Sequence, residues 1–182
     1  DAQGKVTLMG GATATALARC LRLSPREQFD IRTAGYFHDL GKLAVPPFVL
    51  DKPGKLDAHE QAMMRVHTYE TYRIVNTIGG LDQINEWASF HHEYLDGQGY
   101  PFKLHGDQLT LGSRIMAVAD VWTAVSEDRP YRPGMSRDEA LGVLDRMAAG
   151  GKLDGDVVGV LHRECDAVDN FRHQEQADYA RR

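Results

Sequence analysis

His91-His92-Glu93-Tyr94-Leu95-Asp96-Gly97-Gln98-Gly99-Tyr100-Pro101 runs two adjacent imidazoles into a loop punctuated by glycine and proline. Upstream stands a second dyad, His38-Asp39, in FHDLGK (37–42), and downstream Asp120 sits in VADVW (118–122). Imidazoles and carboxylates at this density, with no cysteine among them, match the donor set of a hydrolytic metal centre. Metal-assisted hydrolysis is the first chemistry the sequence suggests.

Outward from this stretch, almost every periodic segment has helical spacing. Residues 6–21 carry a stripe of Val6, Met9, Ala16, Leu17 and Leu21. Ser24-Pro25-Arg26-Glu27 combines an N-cap, a first-turn proline and a capping-box glutamate, opening a helix expected to end near Gly41. His38-Asp39 then falls in its last turn. Residues 43–53 hold three prolines and read as loop. Asp57 with Glu60 opens a long helix through His67 to about Ile78, stopped by Gly79-Gly80.

A helix is expected over 81–93 with His91 and His92 at its end, then a loop to about Leu109 and a helix over 111–126. Ser136 with Glu139 caps a further helix that Gly150-Gly151 ends. A last helix around 156–165 precedes a charged tail. With no convincing strand pair, the predicted fold is an all-α helical bundle. One domain over residues 1–165 is expected, with residues 166–182 as the tail.

Composition narrows the partners. The 182 residues are 42% hydrophobic, enough for one well-filled core, and carry a net charge of −5. No global basic field exists for gripping long nucleic acid; a small anionic ligand is compatible. Cys20 and Cys165 show no CxxC spacing and suit free thiols in a reducing, cytoplasmic setting. No apolar run is long enough to span a bilayer. The chain starts at Asp1 and reads as helix at once. It is therefore expected to be a piece of a longer polypeptide, with an upstream sensory or receiver domain.

Adjacent residues on a helix point about 100° apart. Each dyad can therefore wrap round one ion or serve two ions side by side, but cannot share one face. Taken alone, His67 reads more readily as an ordinary core or surface histidine. Asp120 is harder to dismiss, because a buried unpaired carboxylate is costly; a salt bridge to Arg114 and metal ligation are the alternatives. His59, His105, His162 and His173 read as surface residues. Lys42 suits a helix C-terminus or a phosphate oxygen. Arg129 and Arg132 in RPYR (129–132) read as solvated singly and, with Tyr131, as an anion and base platform.

FHDLGK, the helical His67, HHEYLDGQGYP, Asp120 in VADVW, and RPYR, in this order, resemble the HD-GYP domain, a branch of the HD metal-dependent phosphohydrolase superfamily. The likeness covers roughly 6–160, and HHExxDGxGYP is its specific element. It implies a helical bundle with a metal centre between helices, in a bacterial signalling protein. It also implies hydrolysis of cyclic di-GMP to linear pGpG, and in some members to GMP, by a metal-held hydroxide. Carried over by position, His38, Asp39, His67, His91, His92 and Asp120 are metal ligands, with Asp39 bridging two divalent transition-metal ions, Fe or Mn by family likeness. Asp39 and Lys42 take the catalytic roles; Lys42, Tyr100, Arg129 and Arg132 approach the nucleotide. A homodimer belongs to the same expectations.

Two positions depart from the pattern. Measured back from Val6, the usual first-helix histidine of an HxxxV pattern is Ala2. One ion then keeps His38, Asp39 and Asp120, and the other keeps Asp39, His67, His91 and His92. Thr123 stands where many members carry a second aspartate. The departures leave two alternatives open: a module that binds cyclic di-GMP or a protein partner without turnover, and a phosphohydrolase acting on another nucleotide.

Overall fold

Capping chemistry starts the helices where the sequence marks them. Ser24 accepts from the Glu27 amide while Glu27 returns a bond to the Ser24 amide at 2.8 Å. Asp57 with Glu60 and Ser136 with Glu139 repeat the reciprocal pattern. The computed structural model describes residues 2–128 and 133–181, with side chains from Leu8 onward.

In chain order come α1 (Ala2–Cys20), α2 (Pro25–Phe37), a 3₁₀ turn (Leu40–Ala44), the short α3 (Pro47–Leu50), α4 (Ala58–Asn76) and α5 (Asp82–Ser89). A second 3₁₀ turn (Gly106–Gln108) precedes α6 (Leu111–Ser126), α7 (Arg137–Ala149) and α8 (Gly155–Ala180). Among the described residues there is no strand, only an isolated bridge between Asp96 and His105. The fold is all-α.

Helix α1 lies at the centre, packed against α2, α6 and α8, while α4 holds the first 3₁₀ turn and α5. Where α1 crosses α2, a Cβ at Gly35 would overlap the Gly11 Cα, so the two backbones meet directly. Leu17, Ile31, Ile115, Met116, Trp122, Leu144 and Leu161 fill the core. Burying each such side chain contributes about 1.5–3 kcal/mol. Cys20 and Cys165 are both free thiols, and no helix among the described residues is long and apolar enough to cross a membrane.

Three helix ends differ from the sequence expectation. Helix α2 stops at Phe37 with His38 as its C-cap, and Asp39 opens the 3₁₀ turn. Helix α5 stops at Ser89, so His91 and His92 lie in the turn beyond it. In both places the chain leaves helical geometry just where two consecutive donors must face one point. The third difference is the tail, which is helical: α8 continues to Ala180 across a break at Glu164. Val168 and Arg172 explain it, since both are buried and Arg172 bridges Glu127 at 2.5 Å and Asp169 at 2.9 Å.

Candidate metal centre

The turn after α2 brings the first donors. The Gly41 amide donates to Thr71 Oγ1 at 2.9 Å, and that hydroxyl donates to the His38 carbonyl at 3.1 Å. Thr71, on α4, thus ties both ends of the His38–Gly41 turn. Asp39 caps nothing with its side chain and turns it toward the centre. Its Oδ2 lies 3.4 Å from His38 Nε2 and 2.8 Å from Lys42 Nζ.

His67 comes from α4, His91 and His92 from the turn after α5, and Asp120 from α6. His38, His67 and His91 are each no more than 2% exposed. Ring centroids are 4.9 Å apart for His38–His91, 5.5 Å for His67–His91 and 4.2 Å for His91–His92. Asp120 stands 3.9 Å from His38 Nε2 and 3.8 Å from His92 Nδ1. Arg114, the salt-bridge alternative for Asp120, pairs instead with Asp154 at 3.1 Å and donates to the Leu109 and Gly106 carbonyls.

The tautomers follow from the carbonyls. Nδ1 of His38, His67 and His91 lies 2.7 Å from the carbonyl of Gly35, Met64 and Ala88 respectively. A carbonyl only accepts, so each Nδ1 carries the proton. Burial holds His67 below its ordinary value. Burial, then His92 and His38, hold His91 far below its own. Burial, then His67, bring His92 down to about 3.

These rings are therefore neutral at pH 7, and the Nε2 lone pairs of His67 and His91 face each other at 3.4 Å. Two bare lone pairs cannot bond to each other; a shared cation satisfies both. Two triads offer donor atoms within 4.8 Å of one another: His67, His91 and His92, and His38, Asp39 and His91. Burial opposes ionisation of Asp39, but neighbouring positive charge, with the Lys42 ammonium in direct contact, outweighs it and holds the carboxyl well below the usual range. The residues present fit divalent metal, as neutral nitrogen and anionic oxygen donors without thiolate.

The six residues read as ligands are thus all brought together, with Lys42 beside them. Tyr100 stacks on His92, centroids 4.9 Å apart and planes at 30°, and its amide donates to the His92 carbonyl at 3.1 Å. Arg129 and Arg132 lie outside the described residues. Ala2 is the first residue of α1, and its side chain is outside them too. Gly10 is the α1 residue that meets His38, where an added Cβ would stand 3.5 Å from the ring. Gly10 lies eight positions after Ala2 along the helix, about 12 Å of rise. Thr123 is turned to α1, its hydroxyl 3.3 Å from that of Thr13. His59, His105, His162 and His173 are exposed.

Sequence reasoning missed Glu93, although it lies inside the opening stretch. It is 1% exposed, and its two oxygens accept from the Phe102 amide at 2.6 Å and the Leu104 amide at 3.0 Å. This carboxylate clamps the loop that lays Tyr100 on His92, through the cis Tyr100–Pro101 bond. The local signal was an acidic residue set between His92 and Tyr94, inside the dense motif itself. Glu93→Gln is expected to cost about 1–3 kcal/mol, because one buried amide loses its acceptor. Urea denaturation checks this; an unchanged midpoint would remove the clamp from the account.

A family model described as HD domain matches residues 4–157. The chain is 39% identical over 147 residues to the 3'3'-cGAMP-specific phosphodiesterase 1 of Vibrio cholerae, covering 81% of this chain and 34% of that protein. It is 40% identical over 129 residues to a cyclic di-GMP phosphodiesterase of Pseudomonas aeruginosa, covering 69% and 31%. The chain therefore spans about a third of the length of these relatives. Among solved structures, the HD domain of the phosphodiesterase PgpH from L. monocytogenes matches with a TM-score of 0.65 at 14% identity, over 97% of this chain and 92% of that one. At that identity the likeness is one of fold.

Proposed function

Since the chain belongs to the HD domain family, in its HD-GYP branch, we propose that it is a metal-dependent phosphodiesterase that opens a cyclic dinucleotide, cyclic di-GMP in the first instance, to the linear product pGpG. The observation that carries this reading is the set of carbonyl-locked imidazoles. They turn bare Nε2 atoms, together with Asp39 and Asp120, toward one point beside Lys42. His38, Asp39, His67, His91, His92 and Asp120 would hold two divalent ions, with Fe or Mn favoured by family likeness. Bound there, such ions supply a water nucleophile at neutral pH and neutralise charge developing on phosphate.

The chain's own groups do the rest. The carbonyls of Gly35, Met64 and Ala88 fix the ring orientations, so the donors need no rearrangement when phosphate arrives. Lys42, held by Asp39, donates to a non-bridging phosphate oxygen. Tyr100 forms the wall over His92 and stays protonated, because burial and then Tyr94 raise its phenol above the ordinary value. By family likeness, Arg129 and Arg132 are assigned to the nucleotide as well.

The test is to incubate protein loaded with Fe(II) or Mn(II) with cyclic di-GMP and with 3'3'-cGAMP, and to separate the products by chromatography. Linear dinucleotide is the expected product. Metal-replete protein that retains either nucleotide uncut would replace this reading with that of a binding module.

A further inference from the structure

Arg65 is a cation beside the site that the mechanism leaves unused. It lies on α4 two residues before His67, and its guanidinium carbon stands 5.3 Å from the centroid of the Tyr100 ring. The Tyr100 ring in turn stacks on His92. The loop after Pro101 packs along the same side of α4, where the Phe102 ring meets Tyr69 at 6.1 Å and Tyr72 at 5.1 Å. Arg65 is exposed, and among the described residues it makes no ion pair. Lys42 and Asp120 at this rim are engaged: Lys42 binds Asp39, and Asp120 faces His38 and His92.

A guanidinium over an aromatic ring is held by its face and keeps its N–H edge for another acceptor. That edge matches a phosphate bidentately. A cyclic dinucleotide carries two phosphates on opposite sides of one macrocycle. With one at the imidazoles, the second must lie displaced from the donor cluster. Arg65 stands one ring beyond His92, displaced from the donor cluster. A formal charge gains more from that anionic group than from a neutral base edge.

We propose that Arg65 is a substrate-binding residue that takes the phosphate not being cleaved, with the Tyr100 ring as its platform. This rests on the cyclic dinucleotide reading of the site. It makes Arg65 a selector for substrates with two phosphates over simple diesters. Its contact is uniform through the reaction, so its loss raises KM and leaves kcat.

The experiment compares wild type, Arg65→Lys and Arg65→Ala, each with metal content measured. Steady-state rates are taken on cyclic di-GMP and on bis(p-nitrophenyl) phosphate, which has one phosphate. Calorimetry measures binding of a non-hydrolysable phosphorothioate analogue of cyclic di-GMP. For Arg65→Ala the expected result is a KM and a Kd raised about tenfold for the dinucleotide, about the loss of one charge-assisted contact. Rates on the simple diester and metal content stay at wild-type values, and Arg65→Lys falls between. Unchanged KM and Kd in Arg65→Ala overturn the assignment while leaving the proposed function standing. Equal losses on both substrates also overturn it, making Arg65 a structural support of the loop. Wild type that cleaves the simple diester but neither binds nor cleaves the dinucleotide removes the proposed function, and this inference with it.

Discussion

Replacing His91 with alanine is expected to weaken divalent metal binding by at least about a hundredfold and to lower phosphodiester hydrolysis by about a thousandfold or more. His91 is the donor common to both triads, so its removal depletes both halves of the centre, unlike the loss of His67 or His92 from one. Its Nδ1 is committed to the Ala88 carbonyl and its Nε2 faces that of His67. Among the described residues, His91 is the donor that the two triads share. Elemental analysis after dialysis against metal, alongside circular dichroism, separates loss of metal from loss of fold. A folded His91→Ala protein that retains the wild-type complement would refute the ligand assignment. His92, 24% exposed on its side chain, is expected to show the smaller deficit.

The second large effect is on stability. A Cβ at Gly41 would fall inside the His67 carbonyl oxygen and 2.6 Å from the Thr71 nitrogen. Both are helix backbone and cannot rotate away. Gly41→Ala must therefore push the first 3₁₀ turn off α4, at a cost of about 3 kcal/mol or more. For a chain of this size that lowers the melting temperature by roughly 10 °C. Gly155→Ala is the control, since an added Cβ there meets nothing. Its midpoint is expected to stay within about 2 °C of wild type. Because the same displacement moves Asp39 and His38 from His67, Gly41→Ala also loses metal affinity. Equal melting of the two variants would show that α4 and the turn are not held as closely as the structure has them.

What could be read without a structure was everything governed by near neighbours in sequence. Capping boxes at Ser24, Asp57 and Ser136 depend on contacts three residues apart, and all three form. The helical period of 111–126 marks α6 to its terminal residues. The donors of the site announced themselves as residue types in a dense pattern. The late end of α8 was less legible, because its burial of Val168 and Arg172 depends on Glu127 from the end of α6.

Tertiary structure decided which of these groups meet. Asp120 lost its local salt-bridge alternative because Asp154, forty residues after Arg114, takes that guanidinium. His67 changed from a lone helical histidine to one member of a cluster only when α4 packed on the turn after α2. Glu93 as a clamp and Arg65 over Tyr100 likewise exist only once the loop after His92 folds back onto α5 and α4. Helix capping and periodicity are set over one turn, so the amino-acid order carries them. Convergence of side chains from α2, α4, α5 and α6 depends on how the helices stack, and no local pattern encodes that register.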